Sequence, residues 1–67
     1  MTHNGIRELC VLWRLDDGLR CLVLHSPSGW EMRVMRSDEI VISAVFSDGD
    51  ELLRRARRLR AEFQTAA

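Results

Sequence analysis

Apolar residues recur at every second position, or run unbroken, from Glu8 to Phe46, and then change to helical spacing from Ser47 onward. Glu8 to Leu15 is apolar, β-branched or aromatic with Arg14 its only internal charge, which predicts a strand. Asp16-Asp17-Gly18 suits a three-residue hairpin loop, a type I turn closed by Gly18 in the left-handed region. That loop sets Leu15 opposite Leu19, Trp13 opposite Cys21, Val11 opposite Val23 and Cys10 opposite Leu24. On this register the two cysteines lie on opposite faces, and no disulfide is expected between them. Leu19 to His25 is the second strand, ended by the turn signal Ser26-Pro27-Ser28-Gly29. A four-residue turn there puts His25 opposite Trp30. In the third strand, Trp30 to Arg36, the residues Trp30, Met32 and Val34 then join Trp13, Val11, Cys21 and Val23 on one face.

The fourth strand, Ile40 to Phe46, leaves two registers open. A two-residue loop Ser37-Asp38 pairs Arg36 with Glu39 and sends Val41 and Val45 inward. A three-residue loop sends Ile40, Ile42, Ala44 and Phe46 inward instead. A slip of one residue flips the whole strand. The first is preferred because it brings an ion pair across the strands. Ser47 with Asp50, or Asp48 with Glu51, marks a helix start. Leu52, Leu53, Ala56, Leu59 and Phe63 form its apolar stripe, and five arginines take the remaining arc. Gln64 to Ala67 is expected to fray.

These elements predict an α+β fold: a four-stranded antiparallel meander, or three strands plus an edge, with one C-terminal helix on one face. The expected division is a single domain over 1–67, with a flexible N-terminus at 1–6, a sheet at 8–46 and a helix at 48–64. One helix covers one face. The other would carry Leu12, Leu22, Leu24 and Met35, with Arg14, Arg20, Glu31 and Arg33 between them. That mixture is more apolar than an ordinary wet face. It predicts a face for a second copy or for a protein partner.

Charge adds an asymmetry. Residues 1–53 hold five Arg against nine acids, a net of −4, whereas residues 54–67 hold five Arg against Glu62 alone, a net of +4. The opposite signs suit antiparallel two-fold pairing. The competing reading is a monomer with helix pairs Asp50 to Arg54 and Glu51 to Arg55. All ten basic residues are Arg, which a GC-rich genome explains more simply than selection for phosphate contacts. No apolar run reaches membrane-spanning length, and Met1–Gly5 shows no leader pattern, so a cytoplasmic protein without a membrane partner is expected.

The stretch from Arg7 to Phe63 resembles a group of small bacterial proteins with a β-meander and a C-terminal helix. The shared features are the Gly29-Trp30-Glu31-Met32-Arg33 segment, the turn near Asp38-Glu39 and the Asp50-Glu51-Leu52-Leu53 helix start. The resemblance implies the fold and carries no activity, cofactor or site.

Candidate chemistry is sparse. Cys21 and His25 share a face but lie about 13 Å apart at the usual strand rise, too far to hold one metal ion. His3 stands in the N-terminal segment, and four well-placed zinc ligands are lacking. Cys21 falls in mid-sheet, where a thiol is inert, and Cys10 has no His on its face. No glycine-rich phosphate loop, nucleophile elbow or metalloprotease helix is present. Asp16-Asp17 and Asp38-Glu39 are explained by turn chemistry. No catalytic residue and no cofactor is therefore expected, and the chain reads as a non-enzymatic interaction or regulatory module. The alternative is nucleic-acid binding through Arg54, Arg55, Arg57, Arg58 and Arg60. Neutrality and the lack of spare aromatic residues for stacking weigh against it.

Overall fold

A computed structural model describes residues 7–65. The flexible N-terminus expected at 1–6 lies outside them, as do His3 and residues 66–67. Strands β1 (Arg7–Arg14), β2 (Leu19–Ser26), β3 (Gly29–Arg36) and β4 (Glu39–Phe46) form one antiparallel sheet in sequence order, followed by helix α1 (Gly49–Thr65). The α+β meander with a C-terminal helix is the expected fold.

The turns follow their residue types. Leu15 and Leu19 close the first hairpin, with the Leu15 amide donating to the Leu19 carbonyl at 2.8 Å. Gly18 takes φ 95°, as its place at the end of that loop requires. His25 faces Trp30 as expected, and Ser26 pairs with Gly29, so only Pro27 and Ser28 make the second turn. Gly29 is fixed twice over: its φ is 130°, and a Cβ there would stand 2.9 Å from the Phe46 carbonyl oxygen.

Bulges correct two registers. Trp13 faces Cys21, but the ladder shifts past it, so Val11 meets Leu22 and Cys10 meets Val23. Leu12 is the extra residue, and Leu9 is extra in a second shift. Cys10 is thereby placed on the face that Cys21 and Val23 share, not the opposite one. Both cysteines are free, and their cross-strand partners are Val23 and Trp13. In β4, Arg36 faces Glu39 as the two-residue loop requires, yet Val34 faces Ile42. Val41 is the extra residue, so Ile42, Ala44 and Phe46 turn inward and Val45 does not. Each of the two registers left open for β4 is thus correct on one side of the bulge. Arg36 does not bond Glu39; its guanidinium reaches Asp17 at 3.1 Å.

The helix begins at Asp48, whose Oδ1 accepts from the Asp50 amide at 2.9 Å while its carbonyl accepts from the Leu52 amide. Asp48, not Ser47, is therefore the N-cap. Leu52, Ala56 and Leu59 are buried against Trp13, Leu19, Cys21, Val23, Met32 and Val34. Phe63 packs beside Trp13, with ring centroids 6.4 Å apart. The buried Trp13 indole Nε1–H donates to the Ala56 carbonyl at 2.9 Å, fastening edge strand to helix. Leu53, expected in the stripe, lies outside it and is 45% exposed. The Cα frame is only 15 Å in its thinnest direction, room among the described residues for a sheet and a helix but no third layer.

Candidate functional site

Alternation along β2 and β3 places Arg20, Leu22 and Leu24 beside Met35, Arg33 and Glu31 on the face opposite the helix. Leu22 and Leu24 are only 6% and 5% exposed, although neither belongs to the core cluster under the helix. The register sets Arg33 beside Leu22 and Glu31 beside Leu24. Long charged side chains shield apolar surface with their stems. Glu31 Oε2 accepts from Arg33 Nε at 2.6 Å and from the Ser43 hydroxyl at 3.0 Å. The Arg33 bond, and then the Ser43 bond, hold the Glu31 carboxyl below the usual carboxylate range.

Of the four residues expected on the uncovered face, Leu22 and Leu24 are therefore there but shielded. Met35 is there and half-buried. Leu12 does not sit with them. As the extra residue of a bulge it packs against the core under the helix and faces Leu53 and Ala56. On this face the large apolar groups that remain open are on β4, while Leu9 and Leu53, also exposed, line the opening between β1 and the helix. Val45 is 59% exposed opposite Glu31, Ile40 is 49% exposed opposite Met35, and Val41 stands out at the bulge. Sequence alone misses them because the bulge hides which way β4 faces. The surface has two apolar ends, Met35–Ile40 and Val45, joined by the Glu31–Arg33–Ser43 cluster.

A second apolar opening lies between β1 and the start of the helix. It is a groove of about 290 Å³ formed by Leu9, Cys10, Leu12, Trp30 and Leu53. A concavity of about 400 Å³, open and of mixed polar and apolar lining, lies beside the first hairpin, where Arg14, Asp17, Arg60 and Phe63 meet. Asp17 is committed to that hairpin. The Leu19 amide above all, and then Arg36, hold its carboxyl below the ordinary range. Cys21 is fully enclosed, and burial, with Cys10 nearby, pushes its thiol up to about 11. Among the described residues no group of three His, Cys, Asp or Glu side chains is placed to hold a metal ion. No described helix is long and apolar enough to cross a membrane.

The helix arginines are all exposed. Arg57 and Arg60 flank the β1 side, near Leu12 and Trp13. Arg54, Arg55 and Arg58 gather with Glu51 around Phe46 on the β4 side. The described ion pairs are Glu31–Arg33 and Asp17–Arg36, so the Asp50–Arg54 and Glu51–Arg55 pairs of the monomer reading do not form. None of the five arginines has an acid within bonding distance among the described residues.

Compared with known proteins, the chain matches no family model, no curated protein and no solved structure.

Proposed function

We propose that this protein is a small non-enzymatic interaction module that docks through the β4 border of its uncovered sheet face. The observation that carries this reading is the exposure of Ile40, Val41 and Val45 together on one border strand, next to half-buried Met35. Scattered single apolar residues are ordinary on a surface, whereas a group on one strand marks a contact site. The polar Glu31–Arg33–Ser43 cluster between them offers groups to orient a partner. The acids and thiols with displaced pKa values are each engaged in structure: Asp17 in a turn, Glu31 in an ion pair, Cys21 in the core.

The test is affinity capture with the wild type and with an Ile40→Lys, Val45→Lys double variant. Both positions are exposed, so the variant is expected to fold. A partner held by the wild type and lost from the variant supports the reading. An identical set of captured proteins overturns it.

A second reading rests on the unpaired arginines. Arg54, Arg55 and Arg58 converge around Phe46 with no acid bonded to them, a footprint suited to phosphate. It predicts binding of random duplex or single-stranded oligonucleotides that weakens steeply with salt. Unchanged fluorescence anisotropy at low salt excludes it.

A further inference from the structure

The two borders of the sheet are built differently. β1 carries Glu8 and Arg14 and is broken by two shifts, at Leu9 and Leu12. Charges and bulges are the devices that keep a sheet edge from accepting another strand. β4 has one bulge, at Val41, and from Ile42 to Phe46 its pairing with β3 is unbroken. Glu39 opens β4 as Glu8 and Arg14 bracket β1, and no charge and no proline follows it to Phe46, so the difference between the borders lies chiefly in the bulges. A regular, uncharged, β-branched edge is a template for a further strand.

We propose that a second copy of this chain adds antiparallel to the β4 edge, making one sheet continuous across a two-fold axis. This rests on the docking reading above and names its occupant. An axis normal to the sheet and midway between the two copies of Ala44 pairs Ile42 with the partner's Phe46 and Ser43 with the partner's Val45. Those pairings match face to face: Ile42 and Phe46 both point toward the helix layer, and Ser43 and Val45 both point away from it.

Charge favours the same arrangement. Antiparallel pairing carries the Asp38-Glu39 turn of each chain to the Phe46 end of β4 in the other. Arg54, Arg55 and Arg58 stand there. Glu51 is the one acid that shares that corner with the three arginines, while Asp48 and Asp50 stand at the helix start, Asp50 toward the β1 side. Neither Asp38 nor Glu39 is ion-paired among the described residues. Each copy contributes both halves of the contact, so symmetry forms it twice. One strand edge is a narrow interface beside the roughly 800 Å² per partner of stable complexes, so the dimer is expected to depend on concentration.

Light scattering after size exclusion, over a wide concentration range, reads the assembly directly. The wild type is expected to rise from monomer to dimer mass. Two variants reverse the contact: Asp38→Arg with Glu39→Arg, and Arg54→Glu with Arg55→Glu. Each alone is expected to weaken the dimer about tenfold or more by setting like charges together. Mixed in equal amounts they are expected to pair again, because both contacts of the mixed dimer regain opposite charges. Circular dichroism checks that each variant is folded. Should either reversal fail to fold, Val45→Lys alone, at an open position, is expected to abolish the dimer. A wild type that stays monomeric, a dimer that neither reversal moves, or a mixture no tighter than its components overturns the proposal. A monomer removes the second copy as occupant, while the docking surface itself falls only if capture is unaffected by Ile40→Lys, Val45→Lys.

Discussion

Cys10 and Cys21 share one face of the sheet and differ in everything that governs a thiol. Cys10 is exposed on the bulged border strand, whereas Cys21 is sealed beneath the helix. The thiolate is the reactive form, and burial raises the Cys21 pKa from 9.0 to about 11. Near neutral pH that shift alone leaves about a hundredfold less thiolate at Cys21. A thiol reagent added to native protein is expected to modify Cys10 quickly and Cys21 only when the chain unfolds. Equal rates at both, resolved by peptide mapping, would show that Cys21 is not enclosed. Alkali bears on the same site. Because folding favours the neutral thiol, the stability Cys21 contributes is complete below its unfolded pKa and declines as pH rises from about 9 toward 11.

Glu31 works in the other direction. Its folded carboxyl is held low by Arg33 and then Ser43, so its contribution is present above the usual carboxylate range and is lost as pH falls through that range. The cluster is partly exposed, and its net value at neutral pH is expected to be no more than about 1 kcal/mol. Glu31→Gln should therefore cost little at pH 7 and flatten the acid limb of a stability–pH profile measured by urea unfolding. An acid limb identical to wild type would place the sensitivity elsewhere.

Among the elements, the helix start offers the sharpest comparison. Asp48 accepts from the Asp50 amide and begins the helical ladder through its carbonyl, while Ser47 precedes it. Asp48→Ala is expected to cost about 1 kcal/mol, and Ser47→Ala much less. The reverse order in thermal or urea unfolding would move the cap to Ser47. The sequence left both residues open because each has an acid three positions on. Turns were legible where glycine or proline is demanded, as at Gly18, Pro27 and Gly29. Bulges were not. Leu9, Leu12 and Val41 are apolar residues inside apolar runs, and an extra residue of that kind leaves no trace in composition. Each reverses the facing of the residues beyond it. That is why Cys10 and Leu12 appeared on the wrong side and why β4 fitted neither simple register. Arg36 shows a related limit: Glu39 is its pairing neighbour, yet Asp17 on the other flank wins its guanidinium.

For the whole molecule, the decisive feature is that one helix covers one face. The sequence made this evident through a single amphipathic stripe, and the 15 Å depth agrees. Where the open surface becomes apolar was not evident. Leu22 and Leu24 are flanked by charged neighbours, and the exposed apolar groups of that face lie instead along β4, with Leu9 and Leu53 forming a smaller exposed pair by the β1 groove. The arginine helix is a lid on the core side and an unpaired array on the other. Its β4-side members stand where an added chain would bring its acidic turn. On the proposed reading the β4 border is the working surface, while the β1 border is closed to further strands. Amide hydrogen exchange along the two borders, followed as protein concentration rises, tests this most directly. Protection that grows from Ile42 to Phe46 while Glu8 to Arg14 stays unchanged is the expected result. Exchange independent of concentration along β4, or protection growing along β1 instead, would contradict it.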